Sequence, residues 1–477
     1  MPSHPLRRLV ALLALVAIGC GDPAPPPMVS PSSTSTAPTI PEDLGSLDDP
    51  LFPGLGNAGY DVARYDLDLD LTGAELVGTA TITATATAGL RRFHLDFGGP
   101  TVSGVRVDGA PAPFAHRGEE LVVEPATPIP EGAEFEVVVD YRGTPDPVPT
   151  EALPFPIGWF EGPSGTRFVA AEPDAAHSWF PGNDHPSDKA TFSFTIRVPD
   201  GWIAAANGSL LDRRDDAGTT VFRWEEDDPM ATYLATVVVS ARRELVDLGT
   251  GPDGIALRHV LPPKLASSPP PELTGIGEQL AFFAERFGPY PFDEYGIAVV
   301  DGFGHALETQ TLSIFDEAIV EAPVFESVMA HEVVHQWFGN HVTPARWSDL
   351  WLSEGFATFG ELLWLEHTRG RTAYEDELRE RARLVAELAP PPPAVPTVED
   401  LFGLSVYERG ALALAALRDE LGDDRFFAVL RRHVERHGGA NATTDDFVAV
   451  ASEIAGRDLA SFLEPWLYGA TLPEPAG

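Results

Sequence analysis

His331-Glu332-Val333-Val334-His335 sets two imidazoles four residues apart, with a carboxylate beside the first. On a helix, positions i and i+4 differ by about 40° in direction, so both rings can face one metal ion. Zinc suits such a pair. Its ligand nitrogens lie about 2.0–2.1 Å away, a third protein ligand joins them, and one position stays open for water. Glu332 stands beside that position and can take the water's proton. The same five residues also suit two packed histidines on an amphipathic helix, but the neighbours favour the metal. Val328, Met329, Val333, Val334, Trp337 and Phe338 make the segment apolar enough to be buried, and ionisable groups on a buried helix need partners. Nineteen residues after His335, the run WSDLWLSEGFATF carries Glu354. An antiparallel return helix brings that carboxylate to the same ion, giving two His, one Glu and an open site. Asp349, early in the run, fits two roles equally: orienting a ligand or capping the helix.

Helical periodicity supplies the scaffold these side chains need. It predicts helices over Glu272–Phe287, Pro323–Phe338, Asp349–His367, Tyr374–Leu388, Ser405–Leu421 and Asp424–His437. Pro323 suits a first helical turn, and Pro390 to Pro393 breaks the series with a loop. A short strand is expected around Gly296–Val300. From Tyr60 to about Val246 the period is two instead. Residues 61–71, 78–88, 135–141 and 191–198 read as strands between Gly, Pro and Asp punctuation. The expected fold class is therefore α+β and multidomain: an N-terminal all-β saddle or sandwich, then a mainly α-helical domain holding the metal motif.

The 477 residues are 44% hydrophobic and 22% charged, enough to bury a sizeable core. Thirty-two basic residues against 72 acidic ones leave a net charge of −40. That excludes a nucleic-acid footprint, which needs clustered Lys and Arg, and broad docking on anionic lipid. The single cysteine, Cys20, excludes an intrachain disulfide. Arg7 and Arg8 precede the apolar run Leu9–Ile18, then Gly19-Cys20. A basic start, a short apolar core and a small residue describe a secretory signal, too short to span a bilayer. Ala17-Ile18-Gly19-Cys20 resembles a bacterial lipobox, which predicts cleavage before Cys20 and lipidation of it. The Pro/Ser/Thr-rich stretch that follows reads as a solvated tether. The expected organisation is 1–20 lipoprotein signal peptide, 21–56 linker, 57–246 β domain and 247–477 peptidase domain.

HEVVHQWFGN followed by WLSEGFA resembles the aminopeptidase N family of zinc metallopeptidases, the gluzincin aminopeptidases. Four more segments agree in order: WFPGNDHPSDKATFSF from Trp179, PMATYLATVVVS from Pro229, His305-Ala306-Leu307-Glu308-Thr309 against the exopeptidase motif GAMEN, and Tyr407-Glu408-Arg409-Gly410 against YEKG. The resemblance covers about Tyr60 to Pro475. It implies a thermolysin-like catalytic domain binding one Zn2+ per chain through His331, His335 and Glu354. It implies Glu332 as general base and Tyr407 as hydrogen-bond donor to the oxyanion. Glu308 and Glu172 would hold the free α-amine of a peptide substrate. His305, Leu307 and Thr309 depart from the family motif and alter its substrate-facing edge. Longer family members continue past Gly469 into a helical domain that caps the cleft, so a more open cleft is expected.

The expectation is a zinc aminopeptidase acting on peptides with a free N-terminus. It would be exported to a bacterial cell envelope and touch membrane only through a lipid on Cys20. Two alternatives stay open: an endopeptidase using an uncapped cleft, and a catalytically silent binding lipoprotein on the same scaffold.

Overall fold

A computed structural model describes residues 44–473. Cys20, the expected signal and residues 21–43 of the expected linker lie outside the described residues.

Strand Tyr60–Asp70 buries one face and exposes the other, and Leu76–Ala86 turns Ala and Ile inward while its threonines face out. Such period-two strands bury one side of a sheet. The two pair antiparallel, and Tyr60–Asp70 runs parallel to Ala190–Pro199 on its other edge. They centre an eight-stranded sheet that also contains Glu134–Gly143 and Thr219–Met230. A three-stranded and a four-stranded sheet complete the β-rich half. The four predicted strands lie within two residues of those found.

The second half is built on a five-stranded sheet in the order Glu244–Thr250, Ala256–Leu261, Glu294–Val300, Leu312–Asp316, Ala306–Leu307. Periodicity finds only Glu294–Val300 in part. This strand and Leu312–Asp316 are buried at every position, so no alternation marks them. The expected boundary at 246/247 falls inside strand Glu244–Thr250, which pairs with Ala256–Leu261.

Helices follow at Ile276–Phe287, Phe325–His335, Trp351–Arg369, Arg371–Leu388, Gly410–Leu421 and Asp423–His437. Thr444–Ala455 and Ala460–Leu467 add two more that periodicity leaves unassigned. Pro323 does not open its helix, which begins at Phe325. The fold is thus α+β, a β-rich domain followed by a helical one. No helix among the described residues is long and apolar enough to cross a membrane.

The expected linker ends earlier than position 56. Residues 44–57 fold back on themselves through Leu47 N–H to Gly56 C=O at 2.8 Å. Phe52 is buried edge-on against Trp347 of the helical domain, ring centroids 5.8 Å apart. Composition explains the change, since Leu and Phe replace the Pro/Ser/Thr pattern from Leu44 on.

Candidate metal centre

The helix Phe325–His335 is buried on nearly every side, and the helix Trp351–Arg369 packs across it. Two glycines permit the approach. A Cβ on Gly360 would fall 2.4 Å from Val334 Cγ2, and one on Gly355 would fall 3.0 Å from Gly410 Cα. The first contact sets Glu354 opposite the histidines. The second brings the start of helix Gly410–Leu421, and the π-helical turn Ser405–Arg409 before it, against Glu354. Tyr407 lies in that turn, and its ring is parallel to that of His331 with centroids 6.0 Å apart.

The geometry brings the predicted ligand set together. One ligand atom each of His331, His335 and Glu354 lies within 4.8 Å of the others. Glu354 Oε2 is 3.1 Å from His331 Nε2 and 3.3 Å from His335 Nε2. Both Nδ1 atoms face acceptors instead. His331 Nδ1 is 2.9 Å from Glu361 Oε1, while His335 Nδ1 meets Ser353 Oγ at 2.9 Å and the Phe338 carbonyl at 3.2 Å. A hydrogen on each Nδ1 leaves both Nε2 lone pairs aimed at one point, the arrangement of a metal-binding imidazole with its outer support.

Glu308 follows the edge strand Ala306–Leu307. Its carbonyl accepts from Gln336 Nε2 at 3.1 Å and Asn340 Nδ2 at 2.7 Å, which fastens that edge to the end of the histidine helix. Glu172 comes from the β domain. Its oxygens, with those of Glu308 and Glu354, also lie within 4.8 Å of one another. Tyr407, Glu172, Glu308, Glu332 and the three ligands all line one cavity.

The charge in this cavity is unbalanced. Burial, then the neighbouring Glu308, Glu354 and Glu332, push the Glu172 carboxyl well above its ordinary value. Burial raises Glu332 to about 8 against the pull of His331 and His335. Burial and nearby carboxylates push the Tyr407 phenol far up, so it stays protonated. Glu172 Oε1, Glu308 Oε1 and Glu332 Oε2 are buried without a hydrogen-bond partner. Buried carboxylates in that state call for cations. Two imidazoles and a carboxylate converging beside orphaned oxygens fit a zinc ion, with room left for a second positive group.

Three residues that sequence spacing does not assign support the set. Glu361 holds His331 and is itself gripped by Arg381 at 3.0 Å. Arg381 reaches Glu408 at 3.1 Å as well, joining the support of His331 to the turn that carries Tyr407. Ser353 supports His335. Asp349 takes neither expected role: its carboxylate accepts from Thr444 N–H at 3.0 Å and Thr444 Oγ1 at 2.7 Å, tying its turn to the helix Thr444–Ala455.

The Peptidase family M1 domain matches residues 272–466 and the Peptidase M1 N-terminal domain residues 61–234. An M1 zinc metallopeptidase from Deinococcus radiodurans, crystallised with a Tyr-Ser-Ala substrate, superposes with a TM-score of 0.82 at 32% identity. The match covers 91% of this chain and 99% of that one. The chain belongs to the M1 family of zinc metallopeptidases. A two-domain M1 zinc metallopeptidase bound to L-tryptophan matches equally well, with a TM-score of 0.82 at 32% identity over 91% of this chain and all of that one. Among longer M1 relatives, aminopeptidase N from Streptomyces lividans is 27% identical over 86% of this chain and 50% of its own length. The chain spans about half the length of the curated relatives it matches at full extent.

Proposed function

We propose that the protein is a zinc aminopeptidase that removes N-terminal residues from peptides. The observation that carries this reading is the meeting of the His331–His335–Glu354 set with the orphaned carboxylates of Glu172 and Glu308 in one cavity. A free α-ammonium group is the natural partner of the two carboxylates. Held there, it places the first peptide bond beside the metal set, and positioning of this kind contributes heavily to rate. Aminopeptidase names among the relatives and the Tyr-Ser-Ala substrate of the Deinococcus enzyme support the same reading.

His331, His335 and Glu354 would hold the zinc ion, which would supply Lewis acidity to the scissile carbonyl. Glu332 Oε2, buried and without a partner, accepts a proton from the attacking water and returns it to the leaving amine. The Tyr407 hydroxyl donates a hydrogen bond to the oxyanion as it forms. An endopeptidase has no use for two buried carboxylates with free oxygens beside the bond it cuts. We also propose that the chain is anchored in a bacterial envelope by lipid on Cys20; the support is the lipobox-like sequence alone.

The test compares free-amine and N-acetylated peptides, with and without chelator. The free amine should be preferred by roughly ten-fold to a hundred-fold, a charge-assisted contact being worth about 1.5–3 kcal/mol. Glu332→Gln should keep zinc and lose about 10²–10⁴ in turnover. Internal cleavage of blocked peptides at the rate of free ones overturns the amine site and puts the endopeptidase in its place.

A further inference from the structure

His305 stands where the M1 exopeptidase motif has glycine, so this chain puts a ring where its relatives' motif has no side chain. That ring is used. It stacks on Phe155 with centroids 4.1 Å apart and planes 17° from parallel. The two residues come from different domains. Phe155 lies on the connection between strands Glu134–Gly143 and Gly158–Glu161 of the β domain, and His305 directly precedes the edge strand Ala306–Leu307. His305 is fixed from behind. The His305 carbonyl accepts from Asp316 N–H at 2.9 Å. Phe303 meets the imidazole edge-on at 5.5 Å and packs in turn on Phe160 and Phe168. Burial holds the imidazole below its ordinary pKa, which keeps it neutral at pH 7.

Both rings line the cavity that contains Glu172 and Glu308, about 140 Å3 in volume. Its other apolar walls are Leu153, Ile157, Ala170, Phe303, Ala306, Leu307 and Phe402. A peptide whose amine lies between the two carboxylates can turn its first side chain toward these apolar walls. No basic group on those walls would meet an acidic side chain, and burying an unpaired charge is costly. An acidic one would also face the carboxylates of Glu172, Glu308, Glu332 and Glu354. Aromatic faces add offset-stacking contacts to simple burial.

We propose that the Phe155–His305 stack is the specificity wall of this pocket and selects peptides whose N-terminal side chain is aromatic or long and aliphatic. The inference rests on the aminopeptidase reading for the position of the amine. A short side chain such as that of alanine ends before the stack, so the wall discriminates by reach.

The test is the ratio of kcat/KM for phenylalanyl and alanyl fluorogenic substrates. Wild-type protein should favour phenylalanine at least ten-fold. His305→Gly and Phe155→Ala should each lower that ratio about ten-fold, equivalent to 1.4 kcal/mol. The double variant should fall little further, because one stack is lost only once. Phe155→Leu, which keeps bulk at the domain junction, should give a smaller drop in the same direction. An unchanged ratio in folded single variants, or a wild-type preference for alanyl or charged substrates, overturns the proposal. Calorimetry of L-phenylalanine and L-alanine amides on Glu332→Gln separates the two readings. Discrimination in binding without any wild-type hydrolysis would sink the aminopeptidase and keep the wall. Hydrolysis of free-amine substrates without discrimination would do the reverse.

Discussion

His331 is held in its tautomer by a carboxylate that is itself held. Glu361 is kept down to about 2 although burial works against it, because Arg381 and His331 both favour its charged form. That makes it a strong acceptor for His331 Nδ1–H and fixes the ring with Nε2 toward the metal. Glu361→Gln keeps the shape and removes the charge. Competition against a zinc chelator should show affinity falling by about 10–100-fold; an unchanged affinity would mean the ring is oriented by packing alone. Residue by residue, the sequence is most legible where chemistry is local. His331, Glu332 and His335 sit within one helical turn and a half, and Glu354 follows from one returning helix. Glu361 had a weaker signal: seven residues past Glu354, two turns along the same helix face. Arg381 had none, because nothing in a linear sequence says which carboxylates a lone guanidinium will meet in the folded chain.

The helices hold these residues through their bare points. At Gly355 a methyl group would press on the Gly410 backbone at 3.0 Å and the Val406 carbonyl at 3.2 Å. Backbone atoms in the middle of a packed crossing have nowhere to go. Gly355→Ala should therefore cost about 1–3 kcal/mol by overpacking, although alanine is the better helix former on its own. Because Glu354 is the adjacent residue, the variant should also bind zinc less tightly. A melting point equal to wild type would show slack in the crossing. This contact was invisible beforehand, since a glycine inside a helical pattern reads only as a weak position. The strands divide by burial in the same way. Leu76–Ala86 shows one wet face and is legible by alternation, whereas Leu312–Asp316 is dry on both faces and reads like any apolar run. Thr443 caps its helix reciprocally with Asp446, a start signal legible in principle in Thr443-Thr444-Asp445-Asp446 before an apolar run.

Over the whole molecule, the first described residues lie at the junction of its two halves. Asp49 accepts from the Trp347 N–H of the helical domain and lies 3.2 Å from His185 Nε2 of the β domain. A tether arriving from Cys20 would thus meet the protein at this seam. If Cys20 carries lipid, a labelled fatty-acid precursor should mark the full-length chain in bacterial cells and leave Cys20→Ser unmarked. Release of unmodified wild-type protein into the medium would end the proposal. The limit of the tether could be read only in part, because proline and serine announce an open chain while the few apolar residues after Leu44 find their partners in domains far along the sequence.

The two carboxylates proposed to hold the amine are not carried by the same body. Glu308 belongs to the helical domain with His331, Glu332, His335 and Glu354, and Glu172 reaches them from the β domain. The junction between the two therefore sets the spacing of the carboxylates. One residue of extended chain spans about 3.3–3.6 Å. A shift of the β domain by that distance, with every ligand left in place, would draw Glu172 away from Glu308 and leave the proposed amine site with a single carboxylate. Whether the proposed amine site is whole is thus written in the angle between the halves as much as in either half alone.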